Sequence, residues 1–264
     1  MTNLLATVVT DLAAESQQLD DWVRSLPPSD WRIVTTDEGW TVGHQIGHLA
    51  WTDETSLAAV TDRERFGELL QEGASDPEKF VDAAAAQWAS EPTDELLRRW
   101  RSGRAALADA LLQVPEGEKV PWFGPPMSST SMASARMMET WAHARDVSTA
   151  LGIEAPRDRR ARHVAHMGVR VRDYAYLVRD MEPPGEQFRV ELTGPDEAQW
   201  TWGPPDARQR VTGDGYDFAL MATRRLRPDD ANVQAVGPDA EVWLTIVQAF
   251  AGPPGTDPLR RTQH

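Results

Sequence analysis

Four side chains of this sequence combine metal-binding chemistry with helical spacing. His44 and His48 are four residues apart, and so are Glu139 and His143. On an α-helix that spacing puts both members of a pair on one face. Two imidazoles and a carboxylate converging from packed helices form a nitrogen–oxygen ligand set for a divalent metal. Such a set leaves positions open for water or substrate, as catalytic metal sites do. Asp146, three residues beyond His143, is placed to accept the other ring N–H of a ligand and fix its tautomer. Spacing alone leaves a bland alternative open, because His pairs at this spacing arise by chance and Glu with His is a common solvated pair. His163 and His166 are a rival pair, but Arg160, Arg162, Arg170 and Arg172 around them suit a solvated face. His264 is terminal and carries no expected role.

Composition narrows the chemistry. The 264 residues contain no cysteine, which removes disulfides, thiolate zinc sites and any cysteine nucleophile. A metal must therefore be held by nitrogen and oxygen, and thiol chemistry needs a thiol from outside. The net charge of −14 argues against nucleic-acid binding, since a phosphate backbone would be repelled. No stretch nears the roughly 18 apolar residues of a membrane helix. The first residues, Met1 to Asp11, lack a basic segment followed by a small-residue cleavage site, so a cytoplasmic protein is expected. The expected partner is a small-molecule substrate, with a homodimer as the base-rate assembly. Among eleven tryptophans, Trp200 and Trp202 stand near turns where they can line a pocket.

The elements that would carry these residues follow from periodicity. Leu5, Val8, Leu12, Leu19, Trp22 and Leu26 keep helical spacing until Pro27-Pro28. Thr36 to Gly39 supply loop chemistry, and Thr41 is placed to cap a helix from Val42 to about Val60. Further helices are expected at about 77–90 and from Thr93 past Leu111. The Pro-rich stretch 120–130 reads as a loop, after which Thr130 or Ser131 caps a long helix ending near Gly152. Beyond Ala155 one helix is expected from about Arg157 to Met181. Strands follow at 188–192 and 199–202, with a shorter one at about 208–212. Two helices, about 216–226 and 239–250, complete the chain. The fold class is thus α + (α+β), a helical bundle over residues 1–155 and a smaller α+β domain over 156–264.

The segment from Glu38-Gly39-Trp40-Thr41-Val42-Gly43-His44 through Gln45-Ile46-Gly47-His48-Leu49-Ala50 resembles the entry to the second helix of DinB-like proteins. Within that superfamily it is most similar to the mycothiol-dependent maleylpyruvate isomerase family. Glu139-Thr140-Trp141-Ala142-His143-Ala144-Arg145-Asp146 resembles the same family's E-x-x-x-H-x-x-D helix. The stretches Phe188 to Thr193, Trp200 to Gly203 and Asp217 to Arg225 are similar to the smaller domain behind such bundles. The resemblance implies a DinB-like four-helix bundle, then a smaller α+β domain with a short antiparallel sheet. It implies His48, Glu139 and His143 as ligands of a divalent metal, usually Zn²⁺. His44 then lines the pocket or supports a ligand, with a fourth-ligand role as the other option, and Asp146 backs the ligand set.

Fold likeness alone does not fix a reaction. The leading expectation is a metal-activated external thiol such as mycothiol adding to a small electrophile, as a thiol transferase or a cis/trans isomerase. Arg224 and Arg225 are candidates for binding carboxylates of thiol or substrate. The alternatives are a thiol-independent Lewis-acid hydrolase or cyclase in a specialised biosynthetic pathway, and a non-catalytic metal-binding protein.

Overall fold

Helix α1 (Leu4–Val23) buries Val8, Leu12, Leu19 and Val23 along one stripe, the spacing that lets a helix cover a core with one face. Pro27-Pro28 and a single 3-10 turn, Asp30–Arg32, follow it. Helix α2 (Val42–Thr61) is different, being buried along nearly all its length, His48 and Asp53 included. It runs through the middle of the bundle. The computed structural model describes residues 4–35, 39–77, 79–252 and 254. Glu38, which opens the first motif, and His264 lie outside the described residues.

Helices α3 (Arg63–Ser75) and α4 (Phe80–Ala89) pack beside α2, and α5 (Thr93–Gln113) lies along it. A hairpin of β1 (Lys119–Val120) and β2 (Met127–Ser128) leads into α6 (Ser129–Ala150). The four long helices α1, α2, α5 and α6 form the bundle: α1 packs on α5 and α6, and α2 packs on the same two. Leu19, Ile46, Leu49, Trp100 and Val147 meet in its core. Polar ties cross it as well. Asp20 of α1 accepts from Arg101 and Arg104 of α5, and Glu15 of α1 pairs with Arg145 of α6.

Three local expectations change here. Helix α3 occupies a stretch with no expected element, because only Phe66 and Leu69 of its residues are buried and the stripe is too sparse to read. The stretch 120–130 includes the hairpin rather than loop alone. Ser128, not Thr130 or Ser131, caps α6; its hydroxyl accepts the Ser131 N–H at 3.1 Å.

The chain divides into two compact units, Met1–Ala155 and Pro156–His264. In the second, the single helix expected from 157 to 181 is two, α7 (Ala161–Arg170) and α8 (Arg172–Leu177), separated at Val171 with φ −103° and ψ 23°. Helices α9 (Gly215–Ala222) and α10 (Pro238–Ile246) accompany a four-stranded sheet. Its strands are β3 (Phe188–Thr193), β4 (Gln199–Trp202), β5 (Gln209–Asp214) and β6 (Val233–Val236), in the order β4-β3-β5-β6. The sheet is mixed rather than antiparallel throughout, for β3 and β5 pair in parallel. The cause is the crossing after β4. Gly203, at φ +75°, lies so close to Phe188 that an added Cβ would fall 1.9 Å from its carbonyl oxygen. The chain thereby crosses the start of β3 and returns on its other side. No helix among the described residues is long and apolar enough to cross a membrane.

Candidate metal centre

Helices α2 and α6 run antiparallel, and the polar contacts between them step in opposite directions along the two. Gln45 meets His143, His48 meets Glu139, and Asp53 meets Arg136. Glu139 Oε2 lies 3.4 Å from His48 Nε2 and 3.2 Å from His143 Nε2. One ligand atom from each of His48, Glu139 and His143 can be chosen so that all three lie within 4.8 Å of one another. Donor atoms around a tetrahedral ion with bonds of about 2.1 Å are separated by about 3.4 Å. The side chains therefore fit such an ion without rearrangement of the helices.

Burial and hydrogen bonding together set the charge states. His48 is held down to about 4, first by desolvation and then by the neighbouring His143; a hydrogen bond to Glu139 opposes this. It is therefore a neutral imidazole at neutral pH, the form that binds metals. For Glu139 desolvation alone would favour the protonated acid, but hydrogen bonds from His143 and His48 outweigh it. Its carboxyl is held well below the usual range. The result is a half-buried anion facing two buried imidazoles.

The other expected residues fall in different places. His44 turns to the helix start, where its Nδ1 sits 2.8 Å from the Thr41 hydroxyl and accepts the Thr41 N–H at 3.4 Å. It caps α2 and lies outside the three-residue cluster. Asp146 has a carboxylate oxygen 4.0 Å from His143 Nδ1, but that nitrogen makes its hydrogen bond to Gln45 Oε1, which accepts. His163, His166, Trp200 and Trp202 all belong to the second unit. There Trp202 donates to His166 Nδ1 at 2.9 Å, and Trp200 is buried against Gly194 and Gly215. Arg224 and Arg225 follow α9 and donate to the carbonyls of Thr245 and Thr223.

Sequence reasoning missed Gln45, Thr35 and the role of Trp40. Gln45 stands three residues before His48, a spacing that shares its helical face, and this was the available signal. Trp40 lies with its ring stacked on His143, centroids 5.9 Å apart, and 5.3 Å from the ring of His48. Its indole N–H reaches Asp82 of α4 at 3.1 Å. Trp51 meets His48 on another side at 6.1 Å. Aromatic rings thus wall the imidazoles.

Residues 12–148 match the family model described as mycothiol maleylpyruvate isomerase N-terminal domain. Uncharacterized proteins from two strains of Mycobacterium tuberculosis are each 53% identical over 247 residues, covering 94% of this chain and 96% of the relative. Among solved structures, the mycothiol-dependent maleylpyruvate isomerase shares the fold, with a TM-score of 0.58 at 16% identity. A mutant of that enzyme aligns with a TM-score of 0.57 at 17% identity, and each alignment covers 90% of this chain and 98% of the other.

Proposed function

We propose, from the premise that this chain belongs to the mycothiol maleylpyruvate isomerase N-terminal domain family, that it is a metal-dependent enzyme acting with an external thiol. His48, Glu139 and His143 would hold one divalent ion, Zn²⁺ by the chemistry of two imidazoles and a carboxylate. The observation that carries this reading is the convergence of their three ligand atoms to within 4.8 Å on buried, antiparallel helices. When bound, such an ion supplies the positive charge that keeps a thiol deprotonated at neutral pH.

The protein's own groups do the rest. His48 and His143 present imidazole nitrogens from opposite helices, and Glu139 supplies the negative charge. Trp40 and Trp51 exclude water from the imidazoles and offer flat surfaces to a substrate. The nucleophilic sulfur comes from outside, because the chain has no cysteine; mycothiol is the thiol named in the family's description. The sulfur adds to an electrophilic carbon of a small substrate. If the adduct is released, the protein is a thiol transferase. If the new C–S bond breaks after rotation about the former double bond, the thiol is regenerated and the protein is a cis/trans isomerase.

The test is metal content of the purified protein beside His48→Ala and Glu139→Ala, followed by thermal shift of zinc-loaded protein with mycothiol. About one equivalent of metal, lost in both variants, and stabilisation by the thiol are expected. Metal retained in both variants would remove the ligand assignment. Metal bound without any response to mycothiol would remove the thiol and leave a metal enzyme of another kind.

A further inference from the structure

Resting on that reading of the centre, we propose that Gln45 and Thr35 are positioning residues: they form a one-way hydrogen-bond relay that keeps the proton of His143 on Nδ1 and turns the Nε2 electron pair toward the metal position. The relay is anchored on a group with no choice of role. The Trp40 main-chain carbonyl can only accept, and the Thr35 hydroxyl lies 3.1 Å from it as donor. A hydroxyl has one proton. With that proton committed to Trp40, Thr35 Oγ1 can only accept from its other neighbour, the Gln45 side-chain amide nitrogen at 2.8 Å. The amide is thereby oriented, nitrogen to Thr35 and oxygen to His143 Nδ1. An amide oxygen only accepts, so Nδ1 must carry the hydrogen.

The flipped amide fails on the same count. Its oxygen would take the Thr35 proton, and the 3.1 Å contact between Thr35 Oγ1 and the Trp40 carbonyl would hold two acceptors with nothing between them. The amide nitrogen would then require an unprotonated Nδ1, 4.0 Å from the Asp146 carboxylate. That carboxylate favours a ring N–H on its side of His143, so the two neighbours of Nδ1 agree. All of this takes place away from solvent: Gln45 is fully buried, and Thr35 and His143 are each 8% exposed. Loss of one partner there leaves a group that water does not readily satisfy.

The consequence lies on the far side of the ring. With Nδ1 committed to Gln45, Nε2 is the ring nitrogen that faces the Glu139 carboxylate, 3.2 Å away. That side of the ring therefore presents a nitrogen beside a carboxylate oxygen, the two donor types a cation there would take. His48 has no counterpart of the relay, since its Nδ1 is buried without a hydrogen-bond partner among the described residues. His143 is the ligand the protein orients. The relay also ends on the peptide of Trp40, the residue whose indole covers the His143 ring, so one set of bonds places both.

The experiment uses the full-length protein. Zn²⁺ affinity is measured by competition with a chromophoric chelator for wild type, Gln45→Leu, Gln45→Glu, Thr35→Val and Thr35→Ser. Imidazole ¹⁵N spectra are recorded on the metal-free wild type. Gln45→Leu is expected to weaken binding about 10- to 100-fold, the usual effect of losing a partner that orients a metal ligand. Gln45→Glu should retain or tighten binding, since a carboxylate still accepts from Nδ1. Thr35→Val should lose less than Gln45→Leu, and Thr35→Ser should match wild type. The spectra should show a hydrogen on Nδ1 of His143 before any metal is added. Equal losses in Gln45→Leu and Gln45→Glu, or a bare Nδ1, would overturn the relay. Wild type that binds no Zn²⁺ would overturn the metal reading instead, and the ¹⁵N spectrum would still decide the relay on its own.

Discussion

Asp53 and Arg136 form an ion pair of 2.9 Å between α2 and α6, with side chains only 4% and 3% exposed. It stands beyond His48 on one helix and before Glu139 on the other, the next polar contact along the same interface. Desolvation pushes the Asp53 carboxyl up, while the charge and hydrogen bond of Arg136 pull it back. One nitrogen of Arg136, Nη2, is buried without a partner among the described residues. A pair this dry contributes little net stability compared with apolar residues, but breaking it is costly.

Arg136→Met is therefore expected to destabilise the protein by about 3–5 kcal/mol, because Asp53 is left as an uncompensated buried acid. Adding Asp53→Leu should recover most of that loss. Urea denaturation of the two single variants and the double variant measures the coupling. Losses that simply add would show that the two side chains do not act as a pair.

Gly47, next to His48, sets how closely α4 approaches α2. A Cβ at that position would lie 2.8 Å from the Ala85 carbonyl oxygen and 3.1 Å from the Ala89 nitrogen. Both are backbone atoms and cannot swing aside. Gly47→Ala is expected to cost about 1–3 kcal/mol by overpacking, despite the better helix propensity of alanine. It should also weaken metal binding by displacing the turn that carries His48. A thermal-melt gain for this variant would contradict the packing argument.

How far such features can be read in advance depends on their physical basis. The long helices α1, α2, α5 and α6 follow from apolar spacing, and His48, Glu139 and His143 are visible because their residue types bind metals and their motifs are extended. Gln45 and Thr35 share the site, but neutral amide and hydroxyl groups have no spacing signature that separates a relay from a cap. Strand β6 escapes notice for another reason. It has four residues at the sheet edge, with Gln234 and Val236 exposed, so the alternation is too short to register. The parallel pairing of β3 and β5 depends on a crossing at Gly203, which local pattern does not encode.

His166 gives the second unit a pH dependence near neutrality. Burial, then the charges of Arg162, Arg170 and His163, hold its imidazole below the ordinary 6.5. Its Nδ1 accepts from the Trp202 indole, a bond that requires the unprotonated nitrogen. A histidine with a lowered folded pKa contributes stability above 6.5 and loses it as pH falls through the folded value, because the unfolded chain takes up the proton first. The second unit should therefore weaken on acidification below about 6.5. His166→Gln should flatten that slope when melts are compared at several pH values; an unchanged slope would exclude His166 as its source.

Trp40 provides an optical test of where an added metal would bind. Its ring is nearly parallel to that of His143, at 18°, and its centroid is 5.3 Å from that of His48. Trp51 is 6.1 Å from His48 but is not stacked on either imidazole in this way. Cu²⁺ quenches indole emission by processes that decay steeply with distance, so an ion held by His48, Glu139 and His143 should quench these two tryptophans most strongly. Trp40→Phe keeps an aromatic ring over the histidines and removes both the indole emission and the bond to Asp82. The variant is expected to bind the same amount of metal and to lose a large share of the quenching, with Trp51→Phe losing a smaller share. Quenching that survives undiminished in both variants would place the ion away from these imidazoles, whatever the measured stoichiometry.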